Sequence, residues 1–327
     1  MTVRLRDDPD ALNVLVARAA DYYGISAAYI EKDFWVTEVL RVASRTRPVR
    51  LPDGHSADTT FIFKGGTSLS RVFGLTQRFS EDIDLIAVFN DEAAPGARHK
   101  ILKLVDAEVS AHVGTAGDVV PGSSTTGIKR YTNYRYPVET AGSGLKEGVL
   151  LELGSRGGTF PVVVHSYRSM LTDFVLAEIP EDEHVWEEFA PFDVTTLSPE
   201  RTLLEKIAAV HDAAARSDTG ALAKFGRHFY DIHCLLANVG VRQALVALGD
   251  AGLSALVEDI NSHSAQAGFP WTPRPDGGYA ESPAFDRDHE SRAAIAVGVQ
   301  AAQELVYGVR PTLEDITEIV AEHRDLL

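Results

Sequence analysis

Sulfur is scarce in this sequence: its 327 residues include one cysteine, Cys234, and two methionines. A single thiol excludes an intramolecular disulfide, so stability has to come from a hydrophobic core, and a reducing compartment suits the chain. The apolar helical context of Cys234 marks a small core residue rather than a nucleophile. Long apolar runs are also missing, none approaching the ~20 residues that span a bilayer. The N-terminal segment carries Arg4, Arg6, Asp7, Asp8 and Asp10 without the apolar stretch of a signal peptide. A cytoplasmic protein without membrane contact is expected. Positive charge is in deficit, with 31 Lys and Arg against 47 Asp and Glu and a net charge of −16. That balance argues against unspecific nucleic-acid binding, which needs a basic footprint. The 11 histidines show neither a cysteine partner nor H-E-x-x-H spacing, which disfavours zinc. A nucleophile elbow, an internal repeat and a low-complexity tract are all lacking.

What is present fits a globular chain long enough for two closely packed domains, with 45% hydrophobic and 24% charged residues. Charge is unevenly spread. Residues 121–170 hold six cations against three acids, whereas 171–195 hold eight acids and no Lys or Arg, reading as an acidic loop. This allows a local polyanion contact and a separate basic partner without demanding either.

The informative stretch is FIFKGGTSLSRVFGLTQRFSEDIDL, residues 61–85. Phe61, Ile62 and Phe63 read as a strand, Gly65 and Gly66 as a tight turn, and Thr67 or Ser68 as the cap of a short helix carrying Leu69, Val72 and Phe73. About sixteen residues beyond the glycines, Asp82-Ile83-Asp84 enters a second strand. Period-two geometry puts Asp82 and Asp84 on one face and Ile83 and Leu85 in the core. Two carboxylates on one face repel unless a cation sits between them, and Mg²⁺ (or Mn²⁺ in its place) usually brings phosphates with it. Glycine N–H groups at a helix start suit those phosphates. Walker-type ATP binding is disfavoured because Lys64 precedes the glycines. Glycine turn, helix and acid–apolar–acid strand together describe a nucleoside-triphosphate site of the polymerase-β-like nucleotidyltransferase kind; the competing account is a surface turn followed by an edge strand with solvated acids.

These residues resemble the AbiEii/AbiGii-type nucleotidyltransferase toxins, including the MenT-type toxins. The resemblance rests on Lys64-Gly65-Gly66-Thr67-Ser68-Leu69-Ser70, on Arg78-Phe79-Ser80-Glu81-Asp82-Ile83-Asp84-Leu85, and on Glu31-Lys32-Asp33-Phe34-Trp35-Val36-Thr37. It implies a bacterial toxin that transfers a nucleoside monophosphate from an NTP to an acceptor such as the tRNA 3′ end, with a cognate antitoxin as partner. Chemistry alone reads Glu31, Lys32, Asp33 and Glu38 as a solvated helix face over residues 26–44; the resemblance adds that this packing helix lends a residue to the site.

Elsewhere, residues 9–22 predict an amphipathic helix, 48–58 a loop, 98–113 a helix and 114–127 a loop. Residues 129–139 and 147–153 predict paired strands around a turn at 141–144. Glu152 lies among Val149, Leu151 and Leu153, and is a candidate third metal ligand beside Asp82 and Asp84; an edge-strand Glu facing water is the alternative. Tyr131, Tyr134 and Tyr136 read as strand packing or as platforms for bases. From Ser198-Pro199-Glu200 the chain turns helical, with Ser198 as cap and Pro199 at the first helical position. Further helices are expected at 221–238, 241–263, 288–307 and 312–324, and residues 269–283 form an unexplained Pro/Gly-rich excursion. Lys206 alone reads as solvated, and Asp231 with Arg227 as an i,i+4 surface pair. The resemblance instead gives Lys206 and Asp231 catalytic roles, Lys206 neutralising phosphate charge. Arg78 contacts phosphate or pairs with Glu81 or another acid.

The expectation is an α+β fold: a polymerase-β-like nucleotidyltransferase domain with a mixed sheet over residues 1–195, then an α-helical domain over 196–327 completing the active cleft. Gly65, Gly66, Thr67, Ser68 and Arg78 are the nucleotide-binding candidates. Asp82, Asp84, Lys206 and Asp231 are the catalytic ones, and Asp82, Asp84 and Glu152 the metal ligands. A small-molecule nucleotidyltransferase, which the acidic charge favours over tRNA, and a nucleotide-binding module without transfer activity are the alternatives.

Overall fold

Strands Arg47–Arg50 (β1) and Ser56–Lys64 (β2) pair antiparallel, so much of the stretch expected as a loop is a hairpin. The computed structural model describes residues 3–80, 82–137, 145–180 and 184–327; the turn expected at 141–144 lies outside them. The chain divides into two compact units, one of residues 1–67, 81–155 and 162–196, the other of 68–80, 156–161 and 197–327.

In the first unit β2 pairs antiparallel with Asp82–Val88 (β3). The remaining strands are Gly117–Thr125 (β4), Lys129–Tyr134 (β5), Val149–Gly154 (β6), Val162–Tyr167 (β7) and Phe192–Leu197 (β8). Their order among the described residues is β4-β5-β6-β3-β2-β8-β7, with β1 beside β2. The sheet is mixed, since β3–β6 and β2–β8 run parallel and β2–β3, β4–β5 and β5–β6 antiparallel. β4 replaces an expected loop. Its Pro121 and Gly122 fall where the register shifts between Val119 and Ser124, a bulge being where a strand tolerates such residues. The acid-rich stretch 171–195 is no simple loop either. It contains all but the first residue of helix Met170–Glu178 (α5) and most of β8, and Glu187 and Glu188 are engaged by Arg4 and Arg6.

This unit also holds the α-helices Pro9–Tyr23 (α1), Ala27–Ala43 (α2) and Pro95–Val113 (α4). The charged face of α2 is not solvated, because the helix packs against α1, α4, α5 and the sheet, leaving Glu31, Lys32, Asp33 and Glu38 all buried. Partners of Asp33, Glu38 and Lys32 explain their tolerance. Asp33 accepts from the Met170 N–H at 2.6 Å, and Glu38 holds Arg41 at 2.9 Å and His112 at 2.7 Å. Lys32 donates to the Lys146 carbonyl at 2.8 Å and to that of Gly148.

The chain enters the second unit within Gly65–Arg71 (α3) and returns there through Pro199–Ala215 (α6), Thr219–Lys224 (α7), Gly226–Ala237 (α8), Val239–Ala267 (α9), Arg292–Ala302 (α10) and Leu313–Glu322 (α11). Leu69, Leu203, Ile207, Phe229, Ile232, Leu235, Ile295 and Ile316 belong to its core. The helix expected over 221–238 breaks into α7 and α8, and a Cβ at Gly226 would strike the Gly298 carbonyl of α10. Ser198 occupies the N-cap of α6 without a side-chain capping bond, whereas Thr312 and Asp315 form a capping box on α11. The 269–283 excursion is tied down by His211, whose ring nitrogens lie 3.0 Å from Ser282 Oγ and 3.0 Å from the Pro273 carbonyl. Among the described residues no single helix is long and apolar enough to cross a membrane.

Asp106 of α4 fixes β5, accepting from Thr132 Oγ1 at 3.0 Å and Tyr134 Oη at 2.8 Å and pairing with Arg130. Asp106→Ala leaves a largely buried guanidinium and two hydroxyls without their acceptor. The expected loss is about 3 kcal/mol in urea unfolding; a loss below about 1 kcal/mol would mean the cluster does not hold the strand.

Candidate active site

Register places the first group of candidates. Lys64 of β2 lies opposite Asp84 of β3, Asp84 beside Glu152 of β6, and Glu152 opposite Tyr131 of β5. Directly paired residues share a face, so these four form one row across the sheet. Asp82, two residues before Asp84, joins the same face, while Ile83, Leu85, Leu151 and Leu153 are buried on the other.

This row gathers negative charge. Burial, followed by the charge and hydrogen bond of Asp84 and then the charge of Asp82, pushes the Glu152 carboxyl up to about 7, against the opposing effect of Lys64. The Tyr131 phenol is also raised, by burial first and then by Glu152 and Asp84. Glu152 is therefore no solvated edge residue. Lys146 reaches Asp82, its Nζ 3.2 Å from Oδ2.

The glycines act differently from the turn expected of them. α3 starts at Gly65 itself, whose φ of +84° favours glycine, and a Cβ there would collide with the Asp84 carboxylate. Gly65 thus lets the acid sit against the backbone. Thr67 does not cap α3; its hydroxyl donates to the Asp82 carbonyl at 2.6 Å, joining the glycine segment to the acid strand. Thr67 and Ser68 are both buried, at 2% and 0% exposure.

Among the described residues no three His, Cys, Asp or Glu side chains converge into a ready metal cage. The donor set of Asp82, Asp84 and Glu152 is nevertheless all oxygen, and burial, then the neighbouring Asp84 and Asp82, raise the Glu152 carboxyl. Such a set fits a hard cation arriving with phosphates, since Mg²⁺ is commonly held by one or two carboxylates plus substrate oxygens and water.

The second unit assembles a group of opposite character. Arg78 grips Asp231 with Nε at 2.6 Å and Nη2 at 2.7 Å, and Lys206 Nζ stands 2.9 Å from the same carboxylate. Asp231 is completely enclosed, while Arg78 and Lys206 are 3% and 8% exposed. Burial alone would raise the Asp231 carboxyl, but Arg78 and then Lys206 hold it well below the usual carboxylate range. Asp231 is accordingly no surface partner of Arg227, and the acid that Arg78 meets is Asp231; Glu81 lies outside the described residues. His228 Nδ1 sits 3.4 Å from Lys206 Nζ, and the ring stacks on Phe225 with centroids 4.8 Å apart. Burial and then the Lys206 charge drive its pKa well down, leaving a neutral imidazole that accepts from the ammonium.

Structure thus brings Asp82, Asp84 and Glu152 together beside Gly65 and Thr67 in one unit. It brings Arg78, Lys206 and Asp231 together in the other, where Ser68 also lies. Sequence reasoning missed Lys64, Lys146 and His228. Lys64 carried a signal, standing at the end of a strand whose neighbour begins with acids, and His228 precedes Asp231 by one helical turn. Nothing local to Lys146 marked it.

The family model described as nucleotidyl transferase AbiEii toxin, type IV toxin–antitoxin system, matches residues 53–318, a span that includes both groups. No curated protein matches the chain significantly.

Glu152 makes stability depend on pH. Its folded pKa of about 7 lies above the ordinary 4.5, so between these values the folded state holds the extra proton. Stability therefore falls as pH rises through that window. Glu152→Gln should flatten the fall in metal-free thermal melts; an unchanged slope would place the titrating group elsewhere. Asp231→Ala should cost about 3–5 kcal/mol by leaving two cations buried together, while Asp231→Asn costs less; equal melting of all three proteins would show that Asp231 does not hold the pair.

Proposed function

Because the chain belongs to the AbiEii nucleotidyl transferase toxin family of type IV toxin–antitoxin systems, we propose that it moves a nucleoside monophosphate from an NTP onto an acceptor hydroxyl and releases pyrophosphate. The observation that carries this reading is the row in which Asp84 and Glu152 sit in register with Asp82 on the same face. Carboxylates so placed repel one another unless cations join them, and an NTP enters with its own divalent ion. Asp82 and Asp84, with Glu152 as third carboxylate, would hold Mg²⁺ or Mn²⁺. A divalent ion held by these residues would supply positive charge near the α-phosphate and would lower the pKa of the attacking hydroxyl.

The remaining roles belong to the protein's own groups. Backbone N–H groups from Gly65 to Ser68 donate to the triphosphate, as a helix start is suited to do. Lys206 offsets the charge that grows on the phosphates during transfer. Arg78 and Asp231 position Lys206; Asp231 has no exposed surface with which to meet an acceptor, and this favours orientation over contact. Arg78 serves the nucleotide through this pair. The toxin's partner is a cognate antitoxin, and the acceptor we propose is the tRNA 3′ end. A small-molecule hydroxyl is the second reading, favoured by the net charge of −16.

Transfer of label from each α-³²P-NTP with Mg²⁺ onto total bacterial RNA tests the reading. Label should appear on a tRNA-sized band and vanish with Asp82→Ala/Asp84→Ala, while Lys206→Ala should slow transfer about a hundredfold or more. Label on a small hydroxylated acceptor alone would transfer the proposal to that substrate. No label from any NTP with folded protein would refute it.

A further inference from the structure

Lys146 reaches Asp82 of the row, and its own backbone is held from behind. Lys32, 4% exposed on α2, donates to the Lys146 carbonyl at 2.8 Å and to the Gly148 carbonyl. One helical turn along, Trp35 stacks on Tyr136 with centroids 5.5 Å apart and planes inclined by 17°. α2 therefore grips the chain at Tyr136, on leaving β5, and again at Lys146–Gly148, before β6. Gly148 has φ +75°, and a Cβ there would strike the Tyr134 carbonyl and the Asn133 side chain, so this turn has little latitude. A buried lysine spent on two carbonyls costs desolvation, and what it secures is the position of another lysine's backbone.

The exposed end of this arrangement is loose by comparison. The Lys146 side chain is 59% exposed and that of Asp82 20%, and ion pairs of that exposure are weak and readily exchanged. We propose that Lys146 is an exchangeable counter-ion. Its ammonium neutralises Asp82 while no metal is bound, yields Asp82 to the divalent ion, and then meets the phosphates that arrive with it; Lys32 is the positioning residue that keeps it in reach. The proposal rests on the reading of Asp82 as a metal ligand. Lys32 precedes the span matched by the family model, and Lys146 lies within it.

Two bindings of opposite sign test this. Mn²⁺ binding without nucleotide is read from the electron paramagnetic resonance of free Mn²⁺. NTP binding with Ca²⁺ in place of Mg²⁺ is read by calorimetry, with the nucleotide checked for turnover afterwards. Lys146→Met removes a competitor for Asp82, so Mn²⁺ should bind about two- to fivefold tighter, the range a half-exposed ion pair supports. The same substitution removes a phosphate contact, so the NTP should bind about tenfold more weakly. Lys146→Arg should restore both values toward wild type. A folded Lys32→Met should shift both in the same directions, and adding Lys146→Met to it should change little more; where Lys32→Met does not fold, the two Lys146 variants decide. Mn²⁺ binding unchanged or weakened by Lys146→Met, or NTP binding unchanged, overturns the exchange while leaving the nucleotidyltransferase reading intact. A wild type that binds neither Mn²⁺ nor NTP overturns both.

Discussion

Repulsion between carboxylates on neighbouring strands is the constraint that the first unit is arranged around. The apolar residues of β3 and β6 impose it: Ile83, Leu85, Leu151 and Leu153 are all buried, and a slip of one residue would put the acids into the core instead. With the register fixed, Asp84 and Glu152 are side by side whether or not their charges agree. The surroundings soften the conflict in three ways. Lys64 stands across from Asp84, Lys146 reaches Asp82, and burial beside Asp84 raises the Glu152 carboxyl to about 7. All three are reversible, so the conflict is eased without locking the charge of the row.

The second unit solves the opposite problem. Two cations, Arg78 and Lys206, are almost wholly buried and share one acid. The bidentate grip of Arg78 fixes the plane of the Asp231 carboxylate, and that plane sets where Lys206 rests. Neutral His228 takes a second ammonium hydrogen without adding charge. One positive charge remains in excess on a side chain with little freedom to wander.

The residues most legible in sequence were those whose spacing and local geometry coincide. Asp82 and Asp84 share a face because a strand has period two, and Glu152 stood out as an acid among apolar neighbours. What escaped was set by tertiary partners. Glu31, Lys32, Asp33 and Glu38 have the composition of a wet helix face, and only the elements packed around α2 bury them. The strand β4 was hidden by Pro121 and Gly122, which read as a loop until a bulge accommodates them. Asp231 has an arginine at helical spacing, yet its true partner, Arg78, is 153 residues away in sequence. Local rules rank the near neighbour first, and burial reverses the ranking.

The buried environment of α2 also separates two boundaries that are easily confused. The family match begins at residue 53, after α1 and α2 have ended. Yet Ile30, Phe34, Val39 and Leu40 are among the most enclosed residues of the first unit, and α2 lies against the sheet. A fragment trimmed to the matched span would bare the apolar surface that this helix covers and would aggregate rather than fold. Recombinant boundaries for this toxin are therefore set by its packing, and they start upstream of its family signature.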